Sequence, residues 1–337
     1  MHQRIRGGLT QTQGLWLGIA FSLAFTVVIW LADSRLGGVS LRPDRQVAYW
    51  YPWVTAAPTI WTRISVWGLY LAHQLTIWGL IWYAQSRRTR YSDTLHPVNL
   101  WALAANAGFI VLHFAQTHLF YDGLGLDVSE QSSQWSVILL LVIVLLMENQ
   151  RRGLFFGWKV PGTLMREAGR GVRKYHGYYF AWATIYTFWY HPMVGTPGHL
   201  LGFLYIFLLL LQGSLFFTRI HTNRWWTITQ EVLVLLHGTL VALSNAPRLW
   251  QMFCFGFAGL FIVTQMHGLG LSRAARWAFL ALYVGGALAV YSRIGFDRIH
   301  QVAWIPFTEY AVTFLVAALV WIGMRAAALR QRRGAGE

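Results

Sequence analysis

The sequence predicts an all-α, polytopic integral membrane protein: a helix bundle of about ten transmembrane spans with both termini cytoplasmic. Three observations carry that prediction. Charged residues make up 12% of the 337 residues and hydrophobic ones 56%, whereas a soluble domain carries about 25% charged residues. The apolar residues come in runs of crossing length, since about 20 residues rising 1.5 Å each cover roughly 30 Å of hydrocarbon. The cations are also unevenly placed between the runs. With the N-terminus cytoplasmic, twenty of the 27 Lys and Arg fall on that side and seven on the other, which is the positive-inside bias.

The nineteen tryptophans fit the same class, because indole favours the lipid–water boundary. A net charge of +15 would suit a nucleic-acid partner, but these charges sit in short connections, so no nucleic acid is expected. The expected partner is the lipid bilayer, and the expected location a multi-pass place in the plasma (inner) membrane. Cys254 is the single cysteine, which excludes a disulfide framework and a thiolate metal cage.

Taken in order, the spans fall at 14–32, 64–83, 99–120, 134–148 and 177–192, then 199–217, 226–244, 249–267, 277–295 and 308–325. The basic start "MHQRIRGG" precedes an apolar run to Leu31 with no A-x-A-like cleavage site, so the first span reads as retained. Residues 33–60 form the longest outer connection, rich in Gly, Pro, Trp and Tyr; they either cover the outer mouth or rest in the interface. Residues 149–176 form a long basic cytoplasmic loop, and "RRGLFFGWKVP" within it interleaves aromatic and basic residues, as a headgroup-hugging segment does. An ordinary positive-inside loop has the same composition. No break by Gly or Pro near the middle of the first or sixth span supports an inverted repeat. The whole reads as a single transmembrane domain, 1–337.

Polar residues inside spans are costly and usually face a bundle interior. Spans four ("SVILLLVIVLLM") and ten ("TFLVAALVWIG") have almost none and read as lipid-facing. Span three carries Asn106 and His113 seven residues apart, hence on one face, with Thr117 continuing the stripe. Span five carries Thr184, Thr187 and His191, span seven carries Gln230, His237 and Ser244, and span two adds His73 with Gln74 and Thr76. Counted at ~1.5 Å per residue from the cytoplasmic end, His113 and His191 lie roughly 21 Å up and His237 roughly 16 Å, with His73 at a similar level. His118 and His199 lie slightly higher. The competing reading is that each histidine only bonds a neighbouring helix, which contributes about 0.6 kcal/mol on average.

Imidazole is both the commonest metal ligand and a proton carrier near neutral pH. His113 and His118 lie about 140° apart around their helix, so a metal site needs ligands from different helices. The pairs His73/His237 and His113/His191 would suit a haem with two axial histidines or a divalent metal in the bundle core. The sequence has no H-E-x-x-H helix, desaturase-type histidine box, GxSxG elbow or P-loop.

Glu231 is the one carboxylate deep in a span. A relay with His237 would have to bridge about 120° around the helix; an ion pair with Arg219, Arg224 or His221 is the simpler reading. Asp122, Asp127, Glu130, Asp297 and Glu309 stand outside as solvated acids or as guides for a cation. In "HPMVGTPGHL", Pro192 ends a helix and Gly195, Pro197 and Gly198 reverse the chain. This brings His191 and His199 to one side of the membrane.

These residues define a candidate site in the outer half of the bilayer. His113, His191 and Glu231 are its candidate acid–base groups, His73 and His237 its cofactor ligands, and His73, His113, His191 and His237 its metal ligands. Asn106, Thr184, Gln230, His118 and His199 are its substrate contacts. The function expected is an integral membrane enzyme or redox protein acting on a lipid-soluble substrate. The alternatives are a proton-coupled transporter and a scaffold subunit of a membrane complex.

Overall fold

The computed structural model describes residues 8–43, 52–87 and 89–334, with side chains through Leu329. Arg4, Arg6, Arg45 and Arg88, and the side chains of Arg330, Arg332 and Arg333, counted above in the charge bias, lie outside the described residues.

Among the described residues there are ten α-helices and no strand. They are α1 (Gln11–Ala32), α2 (Ile60–Ser86), α3 (Pro97–Phe120), α4 (Glu130–Arg152), α5 (Thr163–Tyr190), α6 (Pro197–Ser214), α7 (Arg224–Asn245), α8 (Trp250–Val263), α9 (Arg273–Ile294) and α10 (Trp304–Gly334). Eight have the length and apolarity to cross a membrane. Of the other two, α8 has 14 residues, about 21 Å of helix, and α5 has 28 but carries Arg166, Glu167, Arg170, Arg173 and Lys174 in its first half. Leu75, Leu282 and Phe307 stand exposed on the helix flanks, a placement that suits contact with acyl chains. The chain is thus a multi-pass membrane protein.

Hydroxyl-bearing residues mark the helix starts. Thr10 begins α1 in a capping box with Gln13, Thr59 does the same for α2 with Thr62, and Thr196 caps α6. In each case a side-chain oxygen accepts an N–H that has no partner in the first turn. Within α1, Ser22 and Thr26 donate to carbonyls one turn back, so neither hydroxyl is left unpaired.

Where the sequence reads as one transmembrane domain, the contacts gather into two compact units. The first comprises Met1–Val137 with Gly177–Gln230, the second Ile138–His176 with Glu231–Glu337. In the first, α2 packs on α3, and α6 packs on both α1 and α3. Gly18 leaves room for the Leu211 side chain where α1 meets α6. Its core is aromatic, with Phe188, Trp189, Tyr190, Phe203 and Phe207 beside Ile110, Ile185 and Met193. In the second, α8 packs on α9 and α10.

Three expectations change in the second unit. The basic loop 149–176 is largely helical: α4 runs to Arg152 and α5 starts at Thr163, which leaves a ten-residue turn. Gly153, Phe156 and Gly157 take positive φ in that turn. The Asn149 side chain clamps it by donating to the Val160 carbonyl at 3.2 Å and accepting the Val160 N–H at 3.0 Å. Phe156 N–H donates to the Val263 carbonyl at 2.7 Å, and Thr264 donates to the Leu154 carbonyl. Phe156 and Trp158 remain exposed. The second change is that α4 is not simply lipid-facing, since Leu145 and Leu146 are buried against Met165, Ala168 and Ala317.

The third concerns Glu231. An ion pair was the simpler expectation, and the structure has one, but the partner is Arg152. Arg152 donates from Nη1 and Nη2 to the two carboxylate oxygens at 3.0 and 2.8 Å, with both side chains buried. The reason is local: Arg152 lies in α4 seven residues after the buried Leu145 and shares its inward face, while Arg219 pairs with Asp93. Removing one partner of a buried pair strands the other charge. Arg152→Met therefore lowers unfolding stability in detergent by about 3–5 kcal/mol, and adding Glu231→Gln recovers a large part of the loss. Thermal or denaturant unfolding of the two single variants and the double variant checks this.

Candidate functional site

The polar interior of the first unit is organised by α3. Asn99, Asn106, His113 and Thr117 are all buried, and the intervals of seven, seven and four residues place them along one face. From α2, His73 meets this stripe: its Nε2 lies 2.7 Å from Asn106 Oδ1. From α5, Trp189 Nε1 donates to His73 Nδ1 at 3.2 Å. Indole N–H is only a donor, so His73 Nδ1 accepts, the ring is neutral, and the proton on Nε2 is donated to Asn106. Asn106 Nδ2 donates to Ser214 Oγ at 2.8 Å, and Ser214 Oγ donates to the Leu210 carbonyl at 2.8 Å. Asn99 Nδ2 closes the lower end on the carbonyls of Ser214 and Phe216, both at 2.8 Å. Four helices are thereby joined by one chain of bonds with a fixed direction.

Trp189 serves two histidines. Its ring stacks on His113 with centroids 4.3 Å apart and planes 28° apart, while Phe188 meets His113 edge-on at 4.7 Å. His73 is stacked in turn on Phe109 at 4.3 Å. The His191 main chain is the hydrogen-bonding neighbour of the His113 ring, and the His73 ring lies close by.

Above this layer, α5 ends at Tyr190 and the turn to α6 begins with His191. The turn is pinned at two points. Met193 N–H donates to Thr117 Oγ1 at 3.0 Å, and Gly195 N–H donates to Asp33 Oδ1 at 2.5 Å. The turn places the His191 and His199 rings in contact, 5.1 Å between centroids and near perpendicular. His199 Nδ1 lies 2.8 Å from Thr196 Oγ1. Trp53, from the long outer connection, packs edge-on to His199 at 4.4 Å and to His191 at 6.2 Å. The described part of that connection therefore lies over the histidines rather than away from them. It is held by an isolated bridge between Leu41 and Thr55.

Asp122 anchors the same end. Tyr121 and Asp122 end α3 with φ of 49° and 85°, a left-handed conformation that costs about 1–3 kcal/mol per non-glycine residue. The turn seats the Asp122 carboxylate where it accepts the Gly123 N–H at 2.9 Å and the Thr55 N–H at 3.2 Å. Gly123 is required here, since a Cβ would collide with the Tyr190 carbonyl. Asp122 is buried rather than a solvated outer acid, and so is Glu309 on α10. Burial pushes the Asp122 carboxyl up to about 6, against those two N–H donors and the Arg42 and Arg63 charges, which pull it down.

The structure thus brings His73, Asn106, His113, His191 and His199 together. Thr184 and Gln230 are buried in the same unit. His118 is turned aside: its Nδ1 lies 2.9 Å from the Phe114 carbonyl and its ring lies against Phe114. His237 and Glu231 belong to the second unit, where Glu231 is taken by Arg152. Among the described residues, no three of His, Cys, Asp or Glu are placed to hold one metal ion. Both His73 nitrogens are engaged and His113 is enclosed by Trp189 and Phe188, so neither of these two rings is placed to hold a haem or a divalent metal.

Several participants were not singled out from sequence, Asp33 among them. Asn99 was readable, seven residues before Asn106. Trp189, Trp53 and Ser214 were not, because nothing distinguishes them from the other tryptophans and serines. No family model, curated protein or solved structure matches the chain. The site therefore rests on its own geometry, within a membrane-spanning helical protein with buried histidines.

Two outcomes follow. Trp189→Phe removes the donor to His73 and lowers thermal stability by about 1 kcal/mol; the test is unfolding in detergent compared with a surface Trp82→Phe control. A carboxyl whose folded pKa is raised binds its proton more tightly in the native state, so it adds stability as pH falls through about 6 toward its ordinary 3.8. This contribution, on the order of 2 kcal/mol, is absent from Asp122→Asn. The difference between the two proteins' unfolding midpoints, measured from pH 7 to pH 4, checks it.

Proposed function

We propose that the chain is an integral membrane enzyme whose acid–base site is the His191–His199 pair beneath Trp53, acting on a lipid-soluble substrate in the outer half of the bilayer. One observation carries the reading: two imidazoles from the α5–α6 turn in ring contact, with His113 and His73 layered behind them. Two imidazoles side by side can divide the roles of proton donor and acceptor near neutral pH. His113 supports the pair from within. His73 is a positioning residue: it holds Trp189, whose face sets His113. The aromatic side chains against the pair, Trp53, Tyr190 and Phe203, and the membrane-spanning helices favour a substrate that arrives through lipid.

A second reading, a proton-coupled transporter, is favoured by the α3 stripe. It runs on below the histidines through Asn106 to Asn99, buried throughout, and intramembrane polar residues of this kind mark proton paths.

Lipid extracts of membranes from cells making wild type, His191→Asn, His199→Asn or His73→Asn, compared by mass spectrometry, test the first reading. A species that wild type consumes or forms should change about 10²- to 10⁴-fold more slowly with either of the first two variants, and less severely with His73→Asn. Turnover unaffected in both His191→Asn and His199→Asn sinks the enzyme reading. Proteoliposomes containing a trapped pH dye test the second: proton movement blocked by Asn106→Leu supports it, and the absence of any proton movement removes it.

A further inference from the structure

The α4–α5 groove of the second unit has a chemistry unrelated to the histidines. A cavity of about 450 Å³ opens there, lined by Leu146, Met147, Gln150, Arg166, Arg170 and Arg173. The three arginines follow one another at intervals of four and three residues along α5, so they share a face. Gly169 lets the helices approach closely, since a Cβ would lie 3.0 Å from the Leu146 carbonyl. Arg173 Nη2 donates to the Met147 carbonyl at 2.7 Å, which holds one guanidinium at the side of the groove.

The carboxylates nearest in sequence are engaged elsewhere: Glu148 pairs with Arg151, and Glu167 with Arg325. Among the described residues, no carboxylate pairs with Arg166 or Arg170. Three cations converging on a cavity without an acid to balance them call for an anion. Guanidinium favours phosphate, whose oxygens match its paired N–H donors.

Depth identifies the source of that phosphate. The 28 residues of α5 extend about 42 Å, more than the ~30 Å hydrocarbon core. The groove lies at the last turns of α4, a helix long and apolar enough to cross a membrane, so Arg166 and Arg170 reach the headgroup layer on the arginine-rich side, which the charge bias assigns to the cytoplasm. Leu146 and Met147 give the groove an apolar floor, where the first methylenes of an acyl chain continue from a headgroup. Basic pockets between helices on this side of a membrane recognise acidic headgroups. We infer that the α4–α5 groove binds the phosphate headgroup of an anionic phospholipid through Arg166, Arg170 and Arg173. The site is independent of the histidine chemistry proposed above.

Full-length protein in neutral detergent, titrated with phosphatidylglycerol or phosphatidylcholine and read by native mass spectrometry, tests this. The expected result is preferential retention of phosphatidylglycerol by wild type. Arg166→Gln/Arg170→Gln weakens that retention about tenfold, whereas the control pair Arg224→Gln/Arg273→Gln changes it less than twofold. Should the double variant fail to fold, Arg170→Gln alone, compared with Arg273→Gln, decides the matter with a loss of about threefold. Equal losses in the groove and control variants, or none in the groove variants, overturn the proposal. So does protein in phosphatidylcholine nanodiscs that gains as much thermal stability from inorganic phosphate alone as from added phosphatidylglycerol.

Discussion

Hydrocarbon offers no hydrogen-bond partner, and the interior of the first unit is arranged around that constraint. A buried donor or acceptor left unmet in such a medium costs several kcal/mol, so His73, Asn106, Ser214 and Trp189 are placed to answer one another. Each link has only one workable direction once the indole N–H is taken as a donor. A chain of this kind fixes the relative rotation of α2, α3, α5 and α6 more tightly than apolar packing alone, because each bond tolerates only a narrow range of distance and angle. The stacked aromatic rings then fill the space around the polar chain: Phe109 over His73 and Trp189 over His113.

The outer end of the same unit follows a different logic. Here the backbone itself is bent into unfavourable conformations at Tyr121 and Asp122, and the Asp122 carboxylate repays this by accepting two N–H groups. One of those belongs to Thr55, two residues beyond Trp53. The residue that fastens the end of α3 therefore also fixes the segment that lays an indole over His199. The helix-end geometry and the cover over the histidines are mechanically one feature, which is why the candidate site lies at the α5–α6 turn and not deeper among the enclosed rings.

The second unit distributes its charges in two ways. Arg152 is turned inward and holds Glu231 through both terminal nitrogens, so it acts as a structural cation. Arg166 and Arg170, one and two turns into α5, are exposed and have no carboxylate pairing among the described residues. Sequence composition treats all of these as members of one basic loop. What separates them is the short turn closed by Asn149 and the left-handed residues at Gly153, Phe156 and Gly157. That turn ends α4 at Arg152 and allows α5 to begin within the stretch that reads as a loop.

The legible part of this protein was whatever depends on periodicity and partition. Each of the ten expected spans coincides with a helix, and the seven-residue spacing of Asn106 and His113 showed that both point inward, because helical geometry alone relates sequence spacing to a shared face. The depth argument grouped His73, His113 and His191 with His199 nearby, and the structure places these in one unit. It also grouped His237 with them, although height along a helix says nothing about which helices are neighbours. The same blindness offered Arg219, Arg224 or His221, and not Arg152, as the partner of Glu231 and left Trp189 unremarked among nineteen tryptophans. By itself, then, the sequence determined that the chain crosses the bilayer as helices and which faces of those helices are polar, since transfer free energy and helical pitch are local properties. The choice of partner for each polar group was made only by tertiary structure, because contacts between residues far apart in the chain depend on how whole helices pack and turn.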